Sequence, residues 1–376
     1  MKMAESLYIH IPFCRKKCLY CDFYSVSLDL STVSDYVNVL CAQISSLGLD
    51  FRTIYIGGGT PSILSVKLWE KLLRVLDKKR RPGCEFTVEA NPESLDTSKL
   101  KLFANWGVNR ISIGVQSLCD DKLKKLGRIH SAIEAIRAVL KAERKGFDNI
   151  SIDFIFGVWG ESLNSWKEEL KEAVKLPISH ISVYCLSYEE NTILFQKQSK
   201  KEIVPLAEDE LAQMYKYNRN YLAKAGFSQY EVSSFSKTGF QCRHNLNYWD
   251  NEPYLGLGPS AVSYLGGIRA QNCLDVRRYI TLTSQAQNTV ASSEELSTER
   301  KAKETAALKI RTKQGIDFKW FKNHTGVDFM KLEAKNLNSL IQPGLLRLKK
   351  LRKVTRGVCL TKKGFLFCDT VSKSFL

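Results

Sequence analysis

The sequence predicts an α/β protein: an incomplete, open-sided (β/α)6 barrel followed by a small α+β unit of winged-helix-like type. Three observations carry that reading. Short β-rich runs alternate with helix-spaced apolar patterns up to about residue 190, the signature of parallel strands joined by crossover helices. The unusual polar and glycine-rich segments fall directly after those runs, where βα barrels gather their active sites. Six such units are too few for an eight-stranded closed barrel.

Strands are expected at 7–10, 53–56, 86–89, 110–113, 150–156 and 180–184. Between the first two, Val33, Tyr36, Val37, Leu40, Ile44 and Leu47 recur at helical spacing behind a cap at Ser31. Leu68, Leu72, Val75 and Leu76 do so behind Ser65. Ile133, Ile136 and Leu140 mark a third helix; Trp166, Leu170 and Val174 mark a fourth. Beyond 190 a long helix is expected over 207–225, and the division is into 1–230, an extension over 231–296 and a C-terminal unit over 297–376. In that last unit, short helical patterns lead through Gly326 and Pro343-Gly344 to Leu345–Leu348 and then Gly357-Val-Cys-Leu-Thr361-Lys-Lys-Gly364, which read as a β-turn-β wing.

The loop after the first strand carries Cys14, Cys18 and Cys21, three thiols in eight residues. Such a loop can present three thiolates to a cubane [4Fe–4S] cluster. No fourth cysteine follows until Cys41, so one iron is left open to a small molecule. Zinc competes, but a structural zinc site wants four closed ligands, and the nearest fourth candidate is His10 in the preceding strand. The remaining loops bring Gly57-Gly-Gly-Thr-Pro61, Glu89 with Asn91, Gly114 to Ser117, Asp153 and Ser187 to the same end of the sheet. A glycine run lets backbone approach a ligand, or simply makes a tight turn. A carboxylate inside an apolar strand, such as Asp153 in Ile152-Asp-Phe-Ile-Phe156, is costly unless paired or offered to a ligand.

The spacing C-x3-C-x2-C with Tyr20 before the last cysteine resembles the radical S-adenosylmethionine (SAM) superfamily. Tyr8-Ile-His-Ile-Pro-Phe-Cys14 and Cys21-Asp-Phe-Tyr-Ser25 are similar to its branch of coproporphyrinogen III dehydrogenases and haem chaperones. The resemblance implies that Cys14, Cys18 and Cys21 hold the cluster and that SAM chelates the open iron, where one electron cleaves it to a 5′-deoxyadenosyl radical. It further implies SAM contacts from Tyr8, Tyr20, Gly58, Gly59, Thr60, Glu89, Gln116, Arg128 and Asp153, with Ser187 near a second SAM position. By residue type alone, Arg128 equally suits a surface helix. The segment Cys242-Arg-His244-Asn245-Leu-Asn-Tyr248-Trp249 is similar to a His-Asn-x-x-Tyr-Trp signature in the chaperone branch, which makes His244 a candidate haem ligand and Cys242 an alternative. Two departures stand out: Gly157-Val-Trp-Gly160 replaces a usual Gly-Leu-Pro-Gly, and Ser260-Ala-Val262-Ser263 lacks a usual histidine.

Composition limits the rest. No apolar run approaches the ~18 residues of a membrane span, and Met1 to Phe13 lacks a signal-peptide core. Eleven cysteines without such a signal point to a reducing compartment. The cytoplasm is therefore expected, with peripheral membrane attachment left open. Cys41, Cys84, Cys119, Cys185, Cys273, Cys359 and Cys368 have no metal-like spacing. The net charge of +17 peaks between Arg347 and Lys363, which hold eight basic residues and no acid. That patch suits a solvated face, nucleic acid, an anionic membrane or an acidic protein.

Two functions of different class follow from the resemblance. One is a haem chaperone that binds cluster, SAM and haem and supplies acceptor proteins such as respiratory cytochromes, with an electron donor for the cluster and no nucleic-acid partner. The other is oxygen-independent oxidative decarboxylation of coproporphyrinogen III. The dehydrogenase branch carries a further cysteine where Phe23 stands, and a longer segment before the first strand; here seven residues precede Tyr8. Both differences favour the chaperone. Radical modification of RNA, suggested only by the basic patch, is the weakest reading.

Overall fold

A computed structural model describes residues 4–351 and 354–376. Six parallel strands form the expected partial barrel: β1 (Ser6–Ile11), β2 (Phe51–Gly58), β3 (Arg80–Ala90), β4 (Arg110–Gln116), β5 (Ile150–Phe156) and β6 (His180–Cys185). They neighbour one another in chain order. The barrel does not close. Leu255–Leu257 runs parallel to β1 on one flank, and Ser234–Ser236 pairs antiparallel with β6 on the other. The 230/231 division thus passes between the paired strands Ser228–Gln229 and Ser234–Ser236, so part of the extension completes the main sheet. The strand Leu255–Leu257 is only three residues long and lies in a glycine-rich stretch.

The strands alternate strictly. Ile54, Ile56, Phe86, Val88, Ile111, Ile113, Ile152, Phe154, Ile181 and Val183 face the surrounding helices in one continuous core. The intervening positions, including Tyr55, Glu89, Arg110, Ser112, Asp153 and Ser182, line an internal cavity. A closed eight-stranded barrel fills its centre with branched apolar side chains; this one is polar inside.

The crossover helices follow from their caps. Helix α1 (Leu30–Ser46) begins at Asp29 rather than Ser31, because the carboxylate collects the Ser31 N–H and the hydroxyls of Ser31 and Thr32. Helix α2 (Val66–Asp77) starts at Ser65 as expected. The sequence reading passed over α3 (Thr97–Asn105) and α4 (Asp120–Leu126), whose short patterns give weak periodicity. Helix α5 (Ala132–Arg144) is present but turned: Ala135, Ala138, Val139 and Ala142 are buried, whereas Ile133 is 55 % exposed. Small residues let the helix sit close to the sheet, which outweighs the larger side chain. Helix α6 (Leu163–Ala173) buries Trp166 and Leu170, and α7 (Ile193–Ser199) and α8 (Glu208–Lys224) follow.

The C-terminal unit has its own core, with Ile310, Phe321, Phe329, Leu337, Val358 and Val371 between four helices and a three-stranded antiparallel sheet. The paired strands Leu346–Leu351 and Val354–Leu360 form the expected wing. Of the basic run, Arg352 and Lys353 lie outside the described residues; Arg347, Lys350, Arg356, Lys362 and Lys363 are exposed. Among the described residues no helix is long and apolar enough to cross a membrane.

The orientation of α5 makes a direct prediction. Ile133→Ser should leave stability within about 0.5 kcal/mol, whereas Val139→Ala should cost about 1–2 kcal/mol, both read from urea unfolding.

Candidate functional site

The three-cysteine loop is fastened by its own backbone and by one histidine. Phe13–Cys14 pairs with Val26–Ser27 in a two-residue ladder, and the Leu28 N–H donates to the Cys14 carbonyl at 3.1 Å. At its far side, Leu19 N–H donates to Leu126 O at 3.1 Å and Leu19 O accepts from Leu194 N–H at 2.9 Å. His10 Nε2 lies 2.9 Å from the Tyr24 carbonyl, which can only accept, so the ring proton is on Nε2. Nδ1 then accepts from the Tyr8 hydroxyl at 3.0 Å. Both nitrogens are committed, so His10 does not serve as a fourth metal ligand.

Cys14, Cys18 and Cys21 line one cavity of about 560 Å³. Cys14 Sγ is 3.4 Å from Thr60 Oγ1, and Cys18 Sγ accepts from Arg128 Nη1 at 3.4 Å. Burial raises the pKa of Cys14 and pushes Cys21 up to about 11, with the Cys18 and Cys14 charges adding for Cys21. All three thiols are unpaired in disulfides. Among the described residues no three His, Cys, Asp or Glu side chains are arranged to hold a metal ion. A cubane asks for something different, since its thiolates bind separate irons and need not converge on one point. The donor chemistry and the shared cavity fit a three-thiolate cluster.

The glycine turn is dictated by protein contacts before any ligand is considered. Gly59 N–H donates to Ile11 O at 2.8 Å and Thr60 N–H to Phe13 O at 2.9 Å, tying the turn to the cysteine loop. A Cβ on Gly59 would stand 2.8 Å from Phe13 O, and one on Gly58, where φ is +110°, would stand 2.7 Å from the His10 ring. The space at Gly58 is therefore held for His10, not for the ligand.

Around the cavity, Glu89 accepts from the Tyr55 hydroxyl at 2.6 Å and the Gly58 N–H at 3.2 Å. Burial pushes its pKa up to about 7; the Tyr55 hydrogen bond opposes this and the nearby Asp153 adds to it. Asp153 is likewise raised by burial, against hydrogen bonds from Ser182 and Ser112 and the charge of Arg110. Gln116 ends β4 in a left-handed conformation with φ 62°. Arg128 is no surface charge. Its Nη2 donates to Asn91 Oδ1 at 2.8 Å and Gly114 O at 2.9 Å, while Nη1 faces Cys18.

Of the residues expected in the site, Cys14, Cys18, Cys21, Tyr20, Gly58, Gly59, Thr60, Glu89, Gln116, Arg128, Asp153 and Ser187 line this one cavity. Tyr8 and His244 do not. Tyr8 spends its hydroxyl on His10. Sequence reasoning missed Tyr55, Arg110, Ser112 and Ser182 as site residues. Their signal was present as polar side chains at alternate positions of apolar strands.

His244 is the main correction. A haem ligand needs an accessible ring, and His244 is fully buried on the helix Arg243–Trp249. The backbone N–H groups of Arg243 and His244 both donate to the Glu85 carboxylate at 2.9 Å. The imidazole stacks on Tyr55 at 5.1 Å and lies 2.8 Å from Thr53 Oγ1 and 2.9 Å from the Tyr248 hydroxyl. Burial, then the Arg110 charge, lowers its pKa to about 3. Cys242 is equally enclosed, its thiol pushed up to about 12 by burial. As placed, neither can ligate haem without this helix leaving the sheet; Asn245, the next residue, is the one that reaches the cavity. His244→Ala should accordingly cost about 2–4 kcal/mol of stability through orphaned buried partners, read from denaturant unfolding.

Comparison with known proteins places this arrangement. Residues 8–173 match the radical SAM superfamily model and residues 296–367 the HemN C-terminal domain. The chain is 36 % identical to the heme chaperone HemW of Lactococcus lactis over 100 % of this chain and 98 % of that protein. It is 35 % identical to HemW of Bacillus subtilis over 99 % of each, and 40 % identical to HemW of Escherichia coli over 68 % of this chain and 69 % of that one. In fold it is similar to coproporphyrinogen III oxidase (HemN) of Escherichia coli, a radical SAM enzyme, with a TM-score of 0.83 and 20 % identity over 98 % of this chain and 89 % of that one. A family relationship at this identity and coverage extends through the barrel, the extension and the C-terminal unit alike, and the chain belongs to the HemW family of the radical SAM superfamily.

Proposed function

We propose that this chain is a haem chaperone that binds haem, a [4Fe–4S] cluster and SAM, and delivers haem to acceptor proteins such as respiratory cytochromes from the cytoplasmic side. The observation that carries this is the full-length likeness to relatives named heme chaperones. Phe23, standing where the dehydrogenase branch has a cysteine, points the same way. Oxygen-independent coproporphyrinogen III dehydrogenation is the alternative, resting on the fold shared with HemN. Anaerobic incubation with coproporphyrinogen III, SAM and a reductant separates the two: the chaperone forms no protoporphyrinogen IX at a catalytic rate, and steady formation would overturn this reading.

Cys14, Cys18 and Cys21 would hold the cluster, leaving one iron open. Tyr20, Gly58, Gly59, Thr60, Glu89, Gln116, Arg128 and Asp153 would surround SAM. When bound, the cluster supplies single electrons to the ligand at its open iron. The chain's own contribution is to orient and enclose. Arg128 fixes the loop, and the carboxylates of Glu89 and Asp153 on the cavity wall favour a cationic ligand such as one bearing an ammonium and a sulfonium. Cys18→Ser should lose most of the roughly four irons per chain that one cubane carries, measured after anaerobic reconstitution.

The acidity of Glu89 gives the binding a pH dependence. A cation favours the carboxylate, so binding must expel a proton wherever Glu89 is protonated in the free protein, which is below about 7. Affinity should be level above that pH and fall by up to about tenfold per unit beneath it. Calorimetry in buffers of different ionisation enthalpy measures the released proton, and Glu89→Gln should bind SAM more weakly and without that slope.

A further inference from the structure

We propose that a buried ion cluster, Lys122 with Glu161 and Glu169, positions Gln116 for the ligand of the chamber, acting through the Ser117 hydroxyl. Ser117 and Glu169 are then positioning residues for SAM, and the assignment rests on the reading above that SAM occupies the chamber.

The backbone at Gln116 needs such support. From Ile113 to Gln116 strand β4 advances three residues while β5 advances two, from Ile152 to Phe154, so β4 carries a bulge there. The bulge ends in a γ-turn: the Ser117 N–H donates to the Val115 carbonyl at 2.8 Å across Gln116, whose φ is 62°. Positive φ marks the rare, strained form of that turn. A residue with a side chain stays in such a conformation only when its surroundings over-determine it. Gln116 is also the residue of this turn that lines the chamber.

Two anchors hold the turn, one on each side of Gln116. His130 Nε2 lies 3.1 Å from the Val115 carbonyl, which can only accept, and fixes the first residue. The Ser117 hydroxyl fixes the last, donating to Glu169 Oε2 at 3.0 Å and accepting from the Cys119 N–H at 3.0 Å. Glu169 is held in turn by Lys122, whose Nζ reaches Glu169 Oε1 at 3.3 Å and Glu161 Oε1 at 2.5 Å. The other Glu161 oxygen accepts the N–H groups of Gly157 and Val158 at 2.7 and 3.1 Å, tying the loop after β5 to the same cluster.

The energetics make the Ser117 bond obligatory. Each of the three charged side chains is at most 7 % exposed, and two carboxylates share one ammonium. Buried charges are tolerated only when their remaining lone pairs are satisfied, so Glu169 demands the hydroxyl as firmly as the turn demands the anchor. None of Ser117, Lys122, Glu161 and Glu169 lines the chamber. Ser117 therefore affects a ligand by way of the turn it closes.

The test is a double-mutant cycle on SAM affinity, measured by anaerobic calorimetry on the full, cluster-loaded chain with labile sulfide assayed on every sample. Ser117→Ala should weaken SAM binding by about fivefold, the size of one lost hydrogen bond, and speed hydrogen exchange at the amide of position 117. In a Gln116→Gly background, where positive φ is free and no side chain remains to aim, the same substitution should change affinity by less than about twofold. Glu169→Leu should copy Ser117→Ala, and Glu169→Gln, which keeps an oxygen for the hydroxyl, should regain most of that loss. Equal losses from Ser117→Ala in the two backgrounds, or unchanged affinity in Ser117→Ala, would overturn the positioning role while leaving SAM binding by the chamber intact. If Ser117→Ala sheds its cluster, the contrast between Glu169→Leu and Glu169→Gln decides. Absence of SAM binding by loaded wild type would overturn the reading of the chamber itself.

Discussion

The half-buried guanidinium of Arg128 is the constraint on which the site depends. It joins three separate pieces of chain: the cysteine loop through Cys18, the end of β3 through Asn91, and the end of β4 through the Gly114 carbonyl. Burying a cation is costly unless its donors are matched, and here a sulfur, an amide oxygen and a carbonyl meet it. Asn91 also donates to Thr60 Oγ1 at 3.1 Å, and that hydroxyl lies against Cys14. One charge thus sets the position of two of the three thiols, and the glycine turn is locked to the third side of the same loop.

A polar interior accompanies the open barrel. Ordinary barrels gain stability by packing their centre; this one forgoes that and holds its strands together from outside, through the apolar layer beneath α2, α3, α5 and α6. The interior histidines show how the polar groups are kept satisfied. His180 lies 2.7 Å from both Ser151 Oγ and the Tyr230 hydroxyl, and His10 and His244 are doubly engaged in the same manner. Such side chains are struts for the wall, which is why histidine in this fold is a poor guide to ligands.

Much of this was legible in the sequence, for reasons that can be named. All six barrel strands were found because their outward faces are continuous Ile, Val and Phe, and the loops were found because rare residue types cluster after them. The cysteine spacing pointed to one cavity because it is local. What failed was non-local. Tyr8 is the local exception, since it shares one face of β1 with His10 two residues on and spends its hydroxyl there. The signature around His244 gave residue identity without depth: burial comes from Thr53, Tyr55 and Glu85, which stand some 160 to 190 positions away. The face of α5 was misread because large apolar residues were weighted over alanines, although close helix–sheet packing rewards small ones.

The cysteine loop is tied down entirely by protein contacts, and none of its three thiols belongs to the hydrophobic core. The path of the loop is thus written in strand pairing and backbone hydrogen bonds, with its thiols left free to face the cavity, whereas a small zinc domain draws its fold from the metal itself.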